Sequence, residues 1–155
     1  MKRQLFWVIS TLIVLLGKID APSQIKGFGA GIILGEPTGF SLKGWLNDNN
    51  AIDAGLAWSF TSPSSFHVHA DYLWHSFDVF KTKETLPLYY GVGGRIKTGA
   101  DNGDTRVGVR VVVGIDYIFK QAPVDIFAEV APILDFAPKT ELNGNGGIGV
   151  RFWFR

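Results

Sequence analysis

Residues 66–75 read FHVHADYLWH. All three histidines of the chain fall here, at 67, 69 and 75, and Asp71 shares their parity. The other parity carries Phe66, Val68, Ala70, Tyr72 and Trp74. Successive side chains of a β-strand point to opposite faces, so this segment has one polar face and one apolar, ring-rich face. The kind of sheet that accepts such a strand decides the fold.

The same split recurs along the chain. In 51–60, Ile52, Ala54, Leu56, Trp58 and Phe60 oppose Ala51, Asp53, Gly55, Ala57 and Ser59. In 105–119, Val107, Val109, Val111, Val113, Ile115 and Tyr117 oppose Arg106, Gly108, Arg110, Val112, Gly114 and Asp116. In 146–154, Ile148, Val150, Phe152 and Phe154 oppose Gly147, Gly149, Arg151 and Trp153. No helical period appears after residue 26, and turn signals recur every ~8–15 residues, as in sandwiches and barrels. The pattern predicts eight strands, at 27–35, 39–46, 51–60, 66–75, 86–97, 105–119, 124–134 and 146–154. The polar stretches 76–85 and 135–145 read as connections, with the fourth strand free to run on towards Phe80.

Two closed sheets fit this alternation. A soluble barrel of lipocalin type, binding an apolar ligand, points its greasy face inward. A membrane barrel points it into lipid. The volumes favour the second. The face opposite the rings is mostly glycine and alanine with single charges, as at Gly29, Gly31, Gly55, Gly93, Gly108 and Gly149. Glycine weakens a strand and has no use on an open wet face. It does have a use inside an eight-stranded barrel, which is only wide enough to be filled by side chains. The expectation is an all-β, eight-stranded antiparallel up-and-down transmembrane barrel. Trp58, Phe60 and Phe66 at one end, Tyr72 and Trp74 at the other, and Phe152 and Phe154 would face lipid and form aromatic girdles. The inward polar set would be Asp53, His67, His69, Asp71, His75, Arg95, Arg106, Arg110, Asp116, Asp125, Glu129 and Arg151, with Lys43 and Lys97 at the rims in water. Buried charges must be paired, so nearly balanced signs predict a salt-bridged, plugged lumen and no open pore.

The flanking residues bound the function further. Lys2 and Arg3 precede an apolar run at 5–17, too short for a helix that needs ~20 apolar residues to span a bilayer. It reads as a signal peptide over 1–23, with the barrel domain at 24–155. A formal charge of +1 argues against nucleic acid. With no cysteine there is no disulfide, thiolate metal site or lipid-modified cysteine.

Together these features resemble the small eight-stranded outer-membrane β-barrels formed by the OmpA membrane domain and by OmpX. The stretches GEPTGFSLKGWL (35–46), LPLYYGVGGR (86–95) and VDIFAEVAP (124–132) are also similar to short bacterial outer-membrane barrel proteins. The resemblance implies an outer-membrane location, lipid as the surrounding solvent and a monomer. It also implies a C-terminal strand read by the barrel assembly machinery through Gly149, Phe152 and Phe154. Arg155 departs from the usual terminal aromatic.

The histidines remain as candidates for chemistry. If 61–65 close the hairpin, His69 falls opposite Ala57 and Asp71 opposite Gly55, with Asp53 diagonal to Asp71 and His75. On the other side His69 and Asp71 then face Gly93 and Gly91, and His67 approaches Arg95. A His-x-His pair can chelate zinc. A metal site of His67, His69 and Asp71, with Glu129 within reach across the lumen, is therefore a minority reading. Histidines hydrogen-bonded to lumen acids are the plainer one. Ser59 opposite His67 would allow a lipid-acting nucleophile. No nucleophile elbow or phosphate loop is present, no cofactor is implied, and the chain reads as a non-enzyme.

Overall fold

The computed structural model describes residues 26–36, 38–59, 65–100 and 103–154. The expected signal peptide and its cleavage site lie outside the described residues, as do Phe60 and Arg155. Period-two alternation becomes eight strands: β1 (Phe28–Glu36), β2 (Thr38–Trp45), β3 (Asn50–Ser59), β4 (Ser65–Ser76), β5 (Leu88–Ala100), β6 (Asp104–Ile118), β7 (Val124–Ala137) and β8 (Glu141–Phe154). Each pairs antiparallel with the next, and β8 returns to β1, giving one closed barrel in chain order. The closing seam runs from Phe28↔Phe154 to Glu36↔Gly146. No helix among the described residues is long and apolar enough to cross a membrane.

Burial fixes the direction of each face. Phe66 and Trp74 are 47% and 39% exposed, whereas His67 and Asp71 of the same strand are each 2% exposed. Ile52, Leu56, Val109, Val111, Val113, Ile148 and Phe154 likewise cover the outside. The barrel therefore carries its large apolar side chains outward and most of its charges inward. The interior is not purely small and charged, however. Ala51, Leu73, Tyr89, Val112 and Ala131 form an apolar cluster within it, and Phe127 and Ile133 are also buried. Few of these positions can be bulky at once, so ring and glycine meet: a Cβ on Gly149 would come 2.3 Å from the Phe127 ring.

Three sequence expectations are corrected. The β3–β4 hairpin closes one residue earlier than expected. Ser59 pairs with Ser65, and each partner on β4 moves by two: His69 faces Gly55, Asp71 faces Asp53, and His67 faces Ala57. The same displacement on the other flank sets His67, His69 and Asp71 against Lys97, Arg95 and Gly93. Second, β4 ends at Ser76 and does not continue to Phe80; residues 77–87 form a connection at the end of the barrel where β1 begins and β8 ends, pinned by the Thr85↔Ile118 bridge. Third, β7 and β8 are longer than their turn-like residues suggested. Pairing runs to Asp135↔Glu141, so the connection is only 138–140. Asn143, Gly144 and Asn145 lie in strand because β7 beside them is long. As a result β8 rises past the end of β1 by residues 141–145.

Candidate functional site

The lumen places its polar side chains in three tiers. Nearest the start of β1 and the end of β8, Arg151 donates from Nη2 to Asp116 Oδ1 at 2.7 Å and from Nε to Asp125 Oδ1 at 3.0 Å, with its guanidinium 3.9 Å from the Phe127 ring centre. Lys43 donates from Nζ to Asp116 Oδ2, and its ammonium lies 4.9 Å from the ring centres of both Trp45 and Tyr89. Lys43 is thus wholly buried, which corrects the expectation of a rim lysine in water. It sits close to the end of β2, but its flexible stem reaches inward under Trp45 and Tyr89 to an acid on β6. Trp153 Nε1 donates to Asp125 Oδ2 at 2.9 Å. His75 belongs to this tier: its ring is 4.3 Å from that of Trp45, and Nε2 is 3.7 Å from Asp116 Oδ2. It is therefore far in register from Asp53, against the sequence expectation.

In the middle tier Arg110 donates from Nη2 to Glu129 Oε1 at 3.1 Å and places Nε 2.9 Å from Asp71 Oδ2. Tyr89 donates its hydroxyl to the other Glu129 oxygen at 2.8 Å. Asp53 and Asp71 lie directly opposite one another on β3 and β4. In the third tier Arg95 grips Asp135 with Nε and Nη2, and Asn143 donates to Asp135 Oδ2 at 2.8 Å. Arg106, at the rim, reaches Glu141 Oε2 at 3.1 Å. Lys97 is half-buried beside it. The His67 and His69 rings meet edge to face at 5.3 Å.

Every inward charge that the alternation indicated is in the lumen or at its rim. The residue it missed is Asp135, 1% exposed, because 135–145 read as a loop. The parity of β7 already pointed to it: Asp125, Phe127, Glu129, Ala131, Ile133 and Asp135 are one face. Taking two ions out of water costs several kcal/mol each, and such a network is tolerable only where partners and hydrogen bonds are supplied. Most of these acids have both.

Ring packing covers the outside. Phe40 meets Trp58 edge-on at 5.6 Å, and Trp74 stacks on Tyr90 at 5.9 Å and meets Tyr72 at 4.8 Å. Phe152 and Phe154 meet at 5.1 Å. Tyr89 and Phe127 lie inside instead, and Trp45 and Trp153 turn inward at the end of the lumen where β1 begins and β8 ends.

This wall, apolar outside and ion-paired within, invites comparison with known barrels. The chain matches the crystal structure of Neisserial surface protein A (NspA) with a TM-score of 0.52 and 19% identity, over 82% of this chain and 94% of that one. It matches the N-terminal β-barrel domain of Pseudomonas aeruginosa OprF with a TM-score of 0.57 and 15% identity, over 82% of this chain and 95% of that one. The fold is that of the eight-stranded outer-membrane barrels. No protein-family model matches the chain, and no curated protein matches it.

Two chemical readings of the histidines change with the register. Ser59 is not opposite His67, whose partner on β3 is Ala57. The acidic and imidazole atoms that converge are those of Asp53, His69 and Asp71, all within 4.8 Å of one another. His67 is not among them, and Glu129 is occupied by Tyr89 and Arg110. Asp53 replaces His67 because the two-residue displacement brought it level with Asp71.

Proposed function

We propose that this chain is a small integral outer-membrane protein with a structural or surface-interaction role, no catalytic activity and a lumen closed by its own side chains. The observation that carries this reading is the inverted distribution of side chains. A soluble barrel with Phe66, Trp74, Tyr90, Val111 and Phe154 outward would present water with a continuous apolar belt, where soluble proteins rarely expose more than a few hundred Å² in one patch. In a bilayer the same belt is buried, and closure satisfies the strand backbones that lipid cannot. The segment 1–23 serves as the export signal. Gly149, Phe152 and Phe154 of β8 offer the assembly machinery its recognition strand, and the barrel works as a monomer.

The interior favours this reading over a soluble carrier of an apolar ligand. Small-molecule sites are typically ~300–1,000 Å³ and mostly apolar. The cavity beside His69 is about 10 Å³. The expected result is that the protein stays in the membrane fraction after alkaline carbonate, and that its folded and boiled forms migrate differently on gels. Brominated lipid should quench its tryptophan fluorescence strongly, chiefly through Trp58 and Trp74. Release by carbonate, or tryptophans indifferent to brominated lipid, would remove the proposal. The three ion-paired tiers predict a second outcome: reconstituted in a planar bilayer, the parent barrel shows no steady conductance, and a stable open-channel current would contradict a closed lumen.

A further inference from the structure

We propose that Asp53, His69 and Asp71 form a binding site for a single divalent transition-metal ion of the zinc type. Charge makes the first case. The fully buried acids of the lumen are Asp53, Asp71, Asp116, Asp125, Glu129 and Asp135, and the fully buried cations are Lys43, Arg95, Arg110 and Arg151, six against four, with Arg106 and Lys97 half-buried at the rim. Lys43 and Arg151 serve Asp116 and Asp125, and Arg95 serves Asp135. Arg110 is divided between Asp71 and Glu129. Asp71 thus has only a share of Arg110, Asp53 has no ion pair among the described residues, and the register sets the two directly opposite each other. Like charges in that position repel. A dication between them relieves that repulsion.

Unmet hydrogen-bonding capacity makes the second case, independently of charge. Asp53, His69 and Asp71 are 4%, 8% and 2% exposed. Asp53 Oδ1, His69 Nδ1 and both Asp71 carboxylate oxygens have no hydrogen-bond partner among the described residues. Arg110 Nε approaches Asp71 Oδ2 at 2.9 Å as an ion pair, but it is not aligned to donate. Buried polar atoms are nearly always satisfied, so four such atoms in one cluster mark a place where something else binds.

The donor set selects the ligand. One imidazole and two carboxylates suit zinc and its first-row neighbours. Calcium prefers six to eight oxygens and is poorly served. Ligand atoms 4.8 Å apart or less need only small side-chain rotations to close on an ion with bonds of ~2.0–2.2 Å. Glycine on each neighbouring strand is what admits these two side chains. A Cβ on Gly55 would come 2.2 Å from His69 Cε1, and one on Gly93 would come 2.1 Å from Asp71 Oδ1. The 10 Å³ cavity bordered by His69, Arg110, Glu129 and Asn145 has room for about one water beside the imidazole.

The test uses the refolded barrel in detergent, without a histidine tag, stripped with chelator and titrated with zinc chloride. One zinc per chain is expected by calorimetry and by elemental analysis after gel filtration, with a raised urea midpoint in the presence of zinc. Substituted cobalt should give the visible absorption of a low-symmetry, four-coordinate site. Asp53→Asn and His69→Ala should each weaken zinc binding by at least about 100-fold, since even residues behind a ligand commonly contribute 10–100-fold. His67→Ala should bind like the parent. Asp53→Asn removes the repulsion and should keep the heat-modifiable folded form without metal, so its loss of binding cannot be ascribed to misfolding. Failure of the parent to retain zinc, cobalt or manganese would overturn the proposal and leave a carboxyl–carboxylate pair sharing a proton. Equal zinc affinity in Asp53→Asn and the parent would overturn it as well.

Discussion

Gly31→Val should abolish the folded, heat-modifiable form of the barrel or shift its urea midpoint by the equivalent of about 3 kcal/mol or more, at the upper end of what overpacking usually costs. Gly31 lies on the inner face of β1, in register with Arg151 across the closing seam and with Ser41 on β2. A Cβ there would fall 1.8 Å from the Val150 carbonyl oxygen and 2.6 Å from Arg151 Cα. These are backbone atoms of the neighbouring strand and cannot swing aside as a side-chain tip could. The only relief is to part β1 from β8, which opens the barrel and exposes unpaired backbone groups where each costs several kcal/mol. Gly44→Ala is the matching control, since a Cβ there meets nothing within 4 Å. Its midpoint should stay near the parent's. If Gly31→Val folds and unfolds like the Gly44 variant, the seam is looser than described.

The second large effect is expected at Arg151. Arg151→Met should lower stability by ~3–5 kcal/mol, the usual cost of removing one partner from a buried ion pair. The methionine replaces some of the lost volume, so the loss reports charge more than a cavity. Asp125 would lose its guanidinium and keep only the Trp153 donor, while Asp116 would keep Lys43. Adding Asp125→Asn should therefore recover a large part of the loss, because the amide needs no countercharge. Arg151→Lys should fall between, since one ammonium cannot repeat the two-armed contact with acids on β6 and β7. Equilibrium urea unfolding of the parent, Arg151→Met, Asp125→Asn and the double variant measures the coupling. Additive effects would mean that Arg151 and Asp125 do not act as a pair.

The barrel was legible because its alternation is strict and its two faces differ in volume. FHVHADYLWH alone carries both the ring-rich outside and the polar inside, and the structure sets them as those parities require. What the sequence did not convey was register. One residue of uncertainty in the β3–β4 turn moves every cross-strand partner by two, and that step decides whether Asp71 meets Gly55 or Asp53. Turn residues 135–145 misled in the opposite direction: local propensity said loop, and pairing with a long β7 overrode it. The burial of Lys43 was hidden for a different reason, since a long flexible side chain near a strand end can reach either water or an acid, and its choice depends on Asp116 more than 70 residues later.

Closure of this sheet is complete only up to Glu36. Above it, residues 141–145 of β8 pair with β7 on one side and have no described strand on the other. Among the described residues the wall therefore keeps a short edge here, at the rim opposite the start of β1, where backbone donors and acceptors turn sideways. Such an edge invites another strand to add on. The sequence there, ELNGN, meets that hazard with an acid, two asparagines and a glycine, and contains no β-branched residue. The lateral growth that the rest of the wall forbids by closure is discouraged here by composition.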